Sequence, residues 1–268
     1  MPTAGIVSAG IEATVSAPTP DWRLAVVLVV LVAVALAASS VGQLGVGRDY
    51  VTAAVRAVVQ LAAVSLVIAA VLGSVWWSMG FALLMLTVAT FTAAQRLDVP
   101  RRQLPWVGAA IAAGVLPVLA LILGSGVVPF NGAGIVPTAG IVVGGGMTAA
   151  TLTGRRAYAE LHTLFGVYEA GLALGMPSPT ASFEVLRPIA REGLNPGLDQ
   201  TRTVGLVTLP GAFVGVLLGG GTPLQAGAAQ IMVLIGLMAA QAVTAAVLLR
   251  FIAAARLVRS DLVGAYPR

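Results

Sequence analysis

The chain has 268 residues, 58% of them hydrophobic and only 9% charged, with a formal net charge of +5. About a quarter of the residues of a soluble globular chain are charged, so a water-facing surface of domain size is excluded and lipid is the expected solvent for most of the molecule. The positive charge is carried by arginine alone, in short clusters beside apolar runs rather than in a patch interleaved with aromatics; this is a topology signal, not a nucleic-acid footprint.

The first twenty residues lack the basic n-region of a secretory signal, and the apolar run after them is long enough to span rather than be cleaved. A hydrocarbon core about 30 Å thick needs roughly 20 apolar helical residues. Seven segments are expected to meet that need, at 22–41, 51–72, 76–95, 106–124, 135–154, 204–222 and 229–250. The expected fold is an all-α integral membrane domain spanning 1–268, with one soluble feature, a loop over 155–203. The connections alternate. Arg48, then Arg96, Arg101 and Arg102, then Arg155, Arg156, Arg187, Arg191 and Arg202, then Arg256, Arg259 and Arg268 mark one side. The linkers around Gly73, "SGVVPFNGAG" and "GGTPLQAG" carry no charge. The positive-inside rule then puts the N-terminus outside and the C-terminus in the cytoplasm of a multi-pass protein of the cell membrane.

Within the spans, polar residues are few. Arg56 and Gln60 lie four apart on one face of the second span. Arg56 either snorkels to the interface or faces the interior, and Gln60 is deeper. Met147, Gln230 and Met232 are further pathway candidates, with core packing the plain alternative for both methionines. Gly140 and Gly144 in span five, and Gly211, Gly215 and Gly219 in span six, follow small-x-x-x-small spacing, which suits helix packing within the chain, a homodimer seam or a gate. Pro210 is expected to kink span six. Asp199 and Arg202, spaced i, i+3, form either a solvated pair or a hinge where the loop re-enters the membrane.

No Asp or Glu falls inside a span core and the single histidine, His162, lies in the loop. Ion-coupled transporters usually keep such groups in the membrane, and an intramembrane serine protease needs a histidine base. Cysteine and lysine are absent, which removes thiolate metal ligands, a retinal-type Schiff base and a Walker A phosphate loop from this chain. No catalytic residue and no strong metal site are expected.

The loop is punctuated for two short helices. Val167–Leu174 is expected to end at Gly175 in the left-handed region, and Ser178–Pro179 is expected to cap a second helix, Thr180 to Arg187. Its spacing resembles the cytoplasmic motif of ABC importer permeases, E-A-A-x-x-x-G-x₉-I-x-L-P, with Glu169, Ala170, Gly175, Val185 and Pro188 in matching places. Gly171 and Arg187 depart from it. A headgroup-resting amphipathic helix is the alternative.

Further segments carry a closer resemblance. "TVGLVTLPGAFVGVLLGGGTPLQAGAAQIMV", "RAVVQL", "AAQR", "PTAGIVVGGGMTA" and "NPGLDQTRTVGL" are similar to blocks of the FetB-type iron-export ABC permeases, a family that includes plant aluminium-tolerance permeases. The resemblance covers roughly residues 45–255, and Gly145 stands where the family often has Asn. It implies a homodimeric permease for iron or another metal, driven by a separate ATPase subunit that binds ATP and Mg. The importer-like motif and the exporter-like family point in opposite transport directions. A stand-alone channel or facilitator, or a membrane scaffold, is the other class of reading.

Overall fold

The computed structural model describes residues 21–262. Their contacts divide the chain into two units, Met1–Ile68 and Ala69–Arg268.

The first unit holds helix α1 (Trp22–Val41) and most of α2 (Gly47–Leu72). The Asp21 carboxylate accepts the Leu24 N–H at 3.0 Å and fixes the start of α1, satisfying one of the donors a helix N-terminus leaves open. Large aliphatic residues of α1 are exposed along most of its length, from Val26 to Val34; a helix that is apolar all round belongs in lipid. Arg56 and Gln60 are both exposed on α2.

The second unit is built on α3 (Val75–Arg96), α4 (Leu104–Gly124, preceded by a 3-10 turn at Arg101–Gln103), α5 (Gly132–Thr163) and a long C-terminal helix, α10 (Pro223–Ala253). Contacts fix their directions. Gly140 meets Met85 and Gly154 meets Leu97, so α3 and α5 run the same way. Gly236 meets Val118 and Ile122 while Gly114 meets Ala240 and Thr244, so α4 runs against α10. Gly145 meets Leu237 and Gly154 meets Leu248, so α5 and α10 are parallel. These approaches are close: a Cβ on Gly114 would collide with the Ala240 carbonyl oxygen and Thr244 Oγ1. Small residues replace the missing hydrophobic drive between helices in lipid by allowing tight van der Waals contact.

Parallel neighbours joined in sequence need a return path. Residues 164–222 supply it with α6 (Phe165–Ala173), α7 (Ser178–Leu186), 3-10 turns at Arg187–Ile189 and Glu192–Leu194, α8 (Asn195–Thr203) and α9 (Gly211–Leu218). At 204–222 the structure corrects the sequence expectation, because no continuous helix forms there. Gly205 sits at φ 83° and accepts a tight turn closed by its own N–H to the Thr208 carbonyl at 2.9 Å. Pro210, which has no N–H to give to a preceding turn, stands at the N-cap of the eight-residue α9 instead of kinking a longer helix. Gly219 is the C-cap of α9, so it is not a third member of a helical glycine stripe.

Six helices among the described residues are long and apolar enough to cross a membrane. At 1.5 Å per residue, α5 with its 32 residues reaches about 48 Å. It exceeds the hydrocarbon thickness and carries Arg155, Arg156, Glu160 and His162 on its last turns. The Arg156 guanidinium pairs there with Glu160 at 3.1 Å and with Glu192 at 2.7 Å, tying the end of α5 to the Glu192–Leu194 turn.

Candidate functional site

A cleft of about 700 Å³ opens in the second unit among the N-terminal halves of α5 and α10, the short helix α9 and Gln200 of α8. Each wall has a local cause. On α10, Thr222 and Gln225 form a reciprocal capping box, with Gln225 Oε1 accepting the Thr222 N–H at 2.9 Å and Pro223 in the first turn. This starts the helix sharply after the Gly219–Gly221 break. On α5, Asn131 accepts the Gly134 N–H at 3.0 Å. Between them, Gln230 Oε1 accepts the Phe213 N–H at 3.2 Å, a donor shared with the Pro210 carbonyl at 3.1 Å; a buried α10 amide thereby ties itself to the start of α9.

Pro210, Gly211, Gly215, Gln230 and Met232 all line this cleft. The glycines do so without a helix pressed on them: nothing lies within 4 Å of a Cβ built on Gly211 or Gly215. Gly140 touches only the Met85 thioether end and Gly144 has open space, while Met147 is half-buried against the core. Arg56 and Gln60 belong to the first unit. Of the glycines that do bring helices together, Gly145 is one the sequence analysis names, while Gly114, Gly146 and Gly154 are not among its candidates; the Gly146–Ala150–Gly154 spacing is the available signal for the last two. Missed too were Gln241 and Thr244, polar interruptions of the apolar α10 run that are buried in the helix packing.

The polar groups of the cleft wall, Thr138, Gln200 and Gln230, are neutral. Among the described residues no cluster of His, Cys, Asp and Glu is arranged to hold a metal ion.

The second feature is the α6–α7 hairpin. Its turn is a Schellman closure, with the Met176 N–H on the Gly171 carbonyl at 3.0 Å and the Gly175 N–H on that of Leu172 at 2.9 Å. Gly175 takes φ 85°, where a side chain would be strained. The N-cap of α7 is Pro177 rather than Ser178. The Ser178 hydroxyl is instead within 2.9 Å of the Tyr168 hydroxyl, bridging the two helices. One side of the hairpin is an anchor: Tyr168, Ala181, Val185, Leu186 and Ile189 are buried in the main core. The other side, with Glu169, Ala170, Glu184 and Pro188, is exposed. Asp199 and Arg202 pair at 3.3 Å across one turn of α8, both largely exposed.

The segment after α10 closes the same end of the unit. Val258 N–H donates to Gln103 Oε1 at 2.9 Å, and the Ser260 hydroxyl donates to the Asp98 carbonyl at 3.0 Å. Arg256 stacks 4.7 Å from the Trp106 ring centroid. Arg259 hydrogen-bonds Asp261 and holds its carboxyl below the usual range.

The family described as "Uncharacterised protein family (UPF0014)" matches residues 22–257. The chain belongs to this family. Among its UPF0014 relatives, "UPF0014 membrane protein STAR2" of Oryza sativa subsp. japonica is 35% identical over 216 residues, 80% of this chain and 76% of the relative. "Protein ALUMINUM SENSITIVE 3" of Arabidopsis thaliana is 32% identical over 214 residues, 78% and 77% of the two chains. "Probable iron export permease protein FetB" of Escherichia coli (strain K12) is 30% identical over 213 residues, 76% and 79% of the two chains. No solved structure matches the chain. The family resemblance read from the sequence is thus established, and the chain is a multi-pass helical membrane protein of the UPF0014 family.

Proposed function

We propose that this chain is the membrane subunit of an ABC-type exporter of iron or another metal, working as a homodimer in the cell membrane with a separate ATPase that binds ATP and Mg. One observation carries the reading: the α6–α7 hairpin is anchored by buried side chains yet presents Glu169, Ala170 and Pro188 to solvent. A loop resting on headgroups has no need of a buried anchor and a rigid Schellman turn. An element that transmits force needs both. The export reading is supported by the relative named as a probable iron export permease.

The same reading keeps seven crossings, N-terminus outside and C-terminus in the cytoplasm, with the broken segment Thr203–Thr222 as the sixth. Irregular backbone at membrane depth is tolerated where it lines a cavity, and α9 lines the cleft. Motion of the hairpin would reach the cleft through α8, which follows it in the chain and contributes Gln200 to the wall.

The test is purification from native membranes in mild detergent, wild type beside the double variant Glu169→Arg/Gly175→Leu, with mass spectrometry of the co-purifying chains. A P-loop ATPase in near-equal amount with wild type and lost from the variant is the expected result. A folded, oligomeric wild type with no ATPase would sink the reading and leave a stand-alone channel.

A further inference from the structure

The cleft has a definite inner end, and the residues just past it are unlike its walls. Its last contributors toward the C-terminal ends of α5 and α10 are Ile141 and Leu237, joined by Gln200 of α8. One helical turn further along α5 and α10 come Gly145 and Gln241, and one turn before Gln200 on α8 comes Gly197. These three meet. Gln241 Nε2 lies 3.4 Å from a Cβ built on Gly145, and Gln241 Oε1 occupies the space a Cβ on Gly197 would need. Leu237 in turn occupies the Cβ space of Gly145. Two glycines facing one amide leave it room: Gln241 is only 8% exposed and no hydrogen bond among the described residues reaches its side chain, whose amide atoms are not fully enclosed. Beyond it, the buried hydroxyls of Thr244 and Thr153 also lack partners. Thr244 packs on Gly114 and Gly146, and Thr153 on Gly193.

Buried amides and hydroxyls that make no hydrogen bond are disfavoured, the more so in a low-dielectric interior. A line of them continuing from the floor of a cleft is explained if water or cargo reaches them in another state. We propose that Leu237 is the inner gate of the cleft and Gln241 the first polar contact behind it. Leu237 seals by resting in the notch left by Gly145. Withdrawal of α8 would lift Gly197 off Gln241 and let the floor open, so that whatever passes Leu237 meets a neutral amide able both to donate and to accept. The inference rests on the transport reading and deepens it.

The absence of cysteine in the chain makes it a ready background for labelling in membranes with sulfonatoethyl methanethiosulfonate, which is charged and water-soluble. Ala229→Cys reports on the cleft wall, Gln241→Cys on the position behind the gate and Val243→Cys on an outward face of α10. Each is used only if it elutes as wild type does. Ala229→Cys is expected to label readily, and Val243→Cys and Gln241→Cys slowly. Adding Leu237→Ala to Gln241→Cys should raise its rate roughly tenfold, since accessibility governs thiol reaction at a fixed site, and Val243→Cys should not respond. If Leu237→Ala does not fold, the milder Leu237→Val should give an intermediate rate. An unchanged Gln241→Cys rate with Ala229→Cys still labelling overturns the gate and leaves the cleft. Failure of Ala229→Cys to label removes the water-accessible cleft, and the gate with it.

Discussion

At the scale of single residues, the glycines divide by what surrounds them rather than by their spacing. Gly114 faces backbone: its Cβ position is taken by the Ala240 carbonyl oxygen, which belongs to a rigid helix and cannot swing aside. Gly211 faces the cleft with nothing within 4 Å. Overpacking a tight contact costs about 1–3 kcal/mol, whereas substitutions away from such contacts stay within about 0.5 kcal/mol. Gly114→Ala should therefore lower the melting temperature in detergent clearly, and Gly211→Ala should leave it nearly unchanged. Equal effects would show that the α4–α10 contact is loose enough to take in a methyl group. The small-x-x-x-small rule found Gly211 and Gly215 because it reads only separation along one helix. Whether a second helix is there to meet the glycine is a tertiary fact, and at Gly211 it is not.

At the scale of elements, the long helices were legible because nothing interrupts them: α1 carries twenty residues from Trp22 to Val41, and a run of that length and apolarity admits one structure in lipid. The segment 204–222 is also apolar, which suggests one helix, but Gly205, Pro210 and Gly219–Gly220 act together to break it. Each is tolerable singly in a membrane helix, and hydropathy averages over all of them. The hairpin was legible for the opposite reason: it is marked by punctuation, and Gly175 adopts the left-handed conformation expected of it. The cap slipped by one residue because Ser178 had a better use, the bond to Tyr168 across the hairpin. Placing a side chain in the left-handed region costs roughly 1–2 kcal/mol. Gly175→Ala should accordingly loosen the turn, with faster hydrogen exchange at the Gly175 and Met176 amides and little change within α10. Unaltered exchange at those amides would mean that the closure does not stabilise the hairpin.

At the scale of the molecule, what the cleft depends on is that α5 and α10 point the same way. If both helices cross the bilayer the chain has to return between them, and in the proposed seven-crossing reading the broken segment Thr203–Thr222, which forms no single long helix, makes that return. Arginine counting alone cannot distinguish a helix from a broken crossing, because it reads only the ends. Single cysteines can. Val127, just before α5, and Leu224, at the start of α10, are both well exposed. Thr163 ends α5 and Ser260 follows α10, also at exposed positions. In sealed, right-side-out vesicles an impermeant maleimide should label Val127→Cys and Leu224→Cys from outside, and reach Thr163→Cys and Ser260→Cys only after permeabilisation. The pairing of Val127 with Leu224 tests the parallel helices, and the side on which that pair appears tests the orientation set by the arginines. If Val127→Cys and Leu224→Cys labelled from opposite sides, the broken segment would not cross, α10 would have to run against α5, and neither the cleft nor its inner gate would survive in the form described.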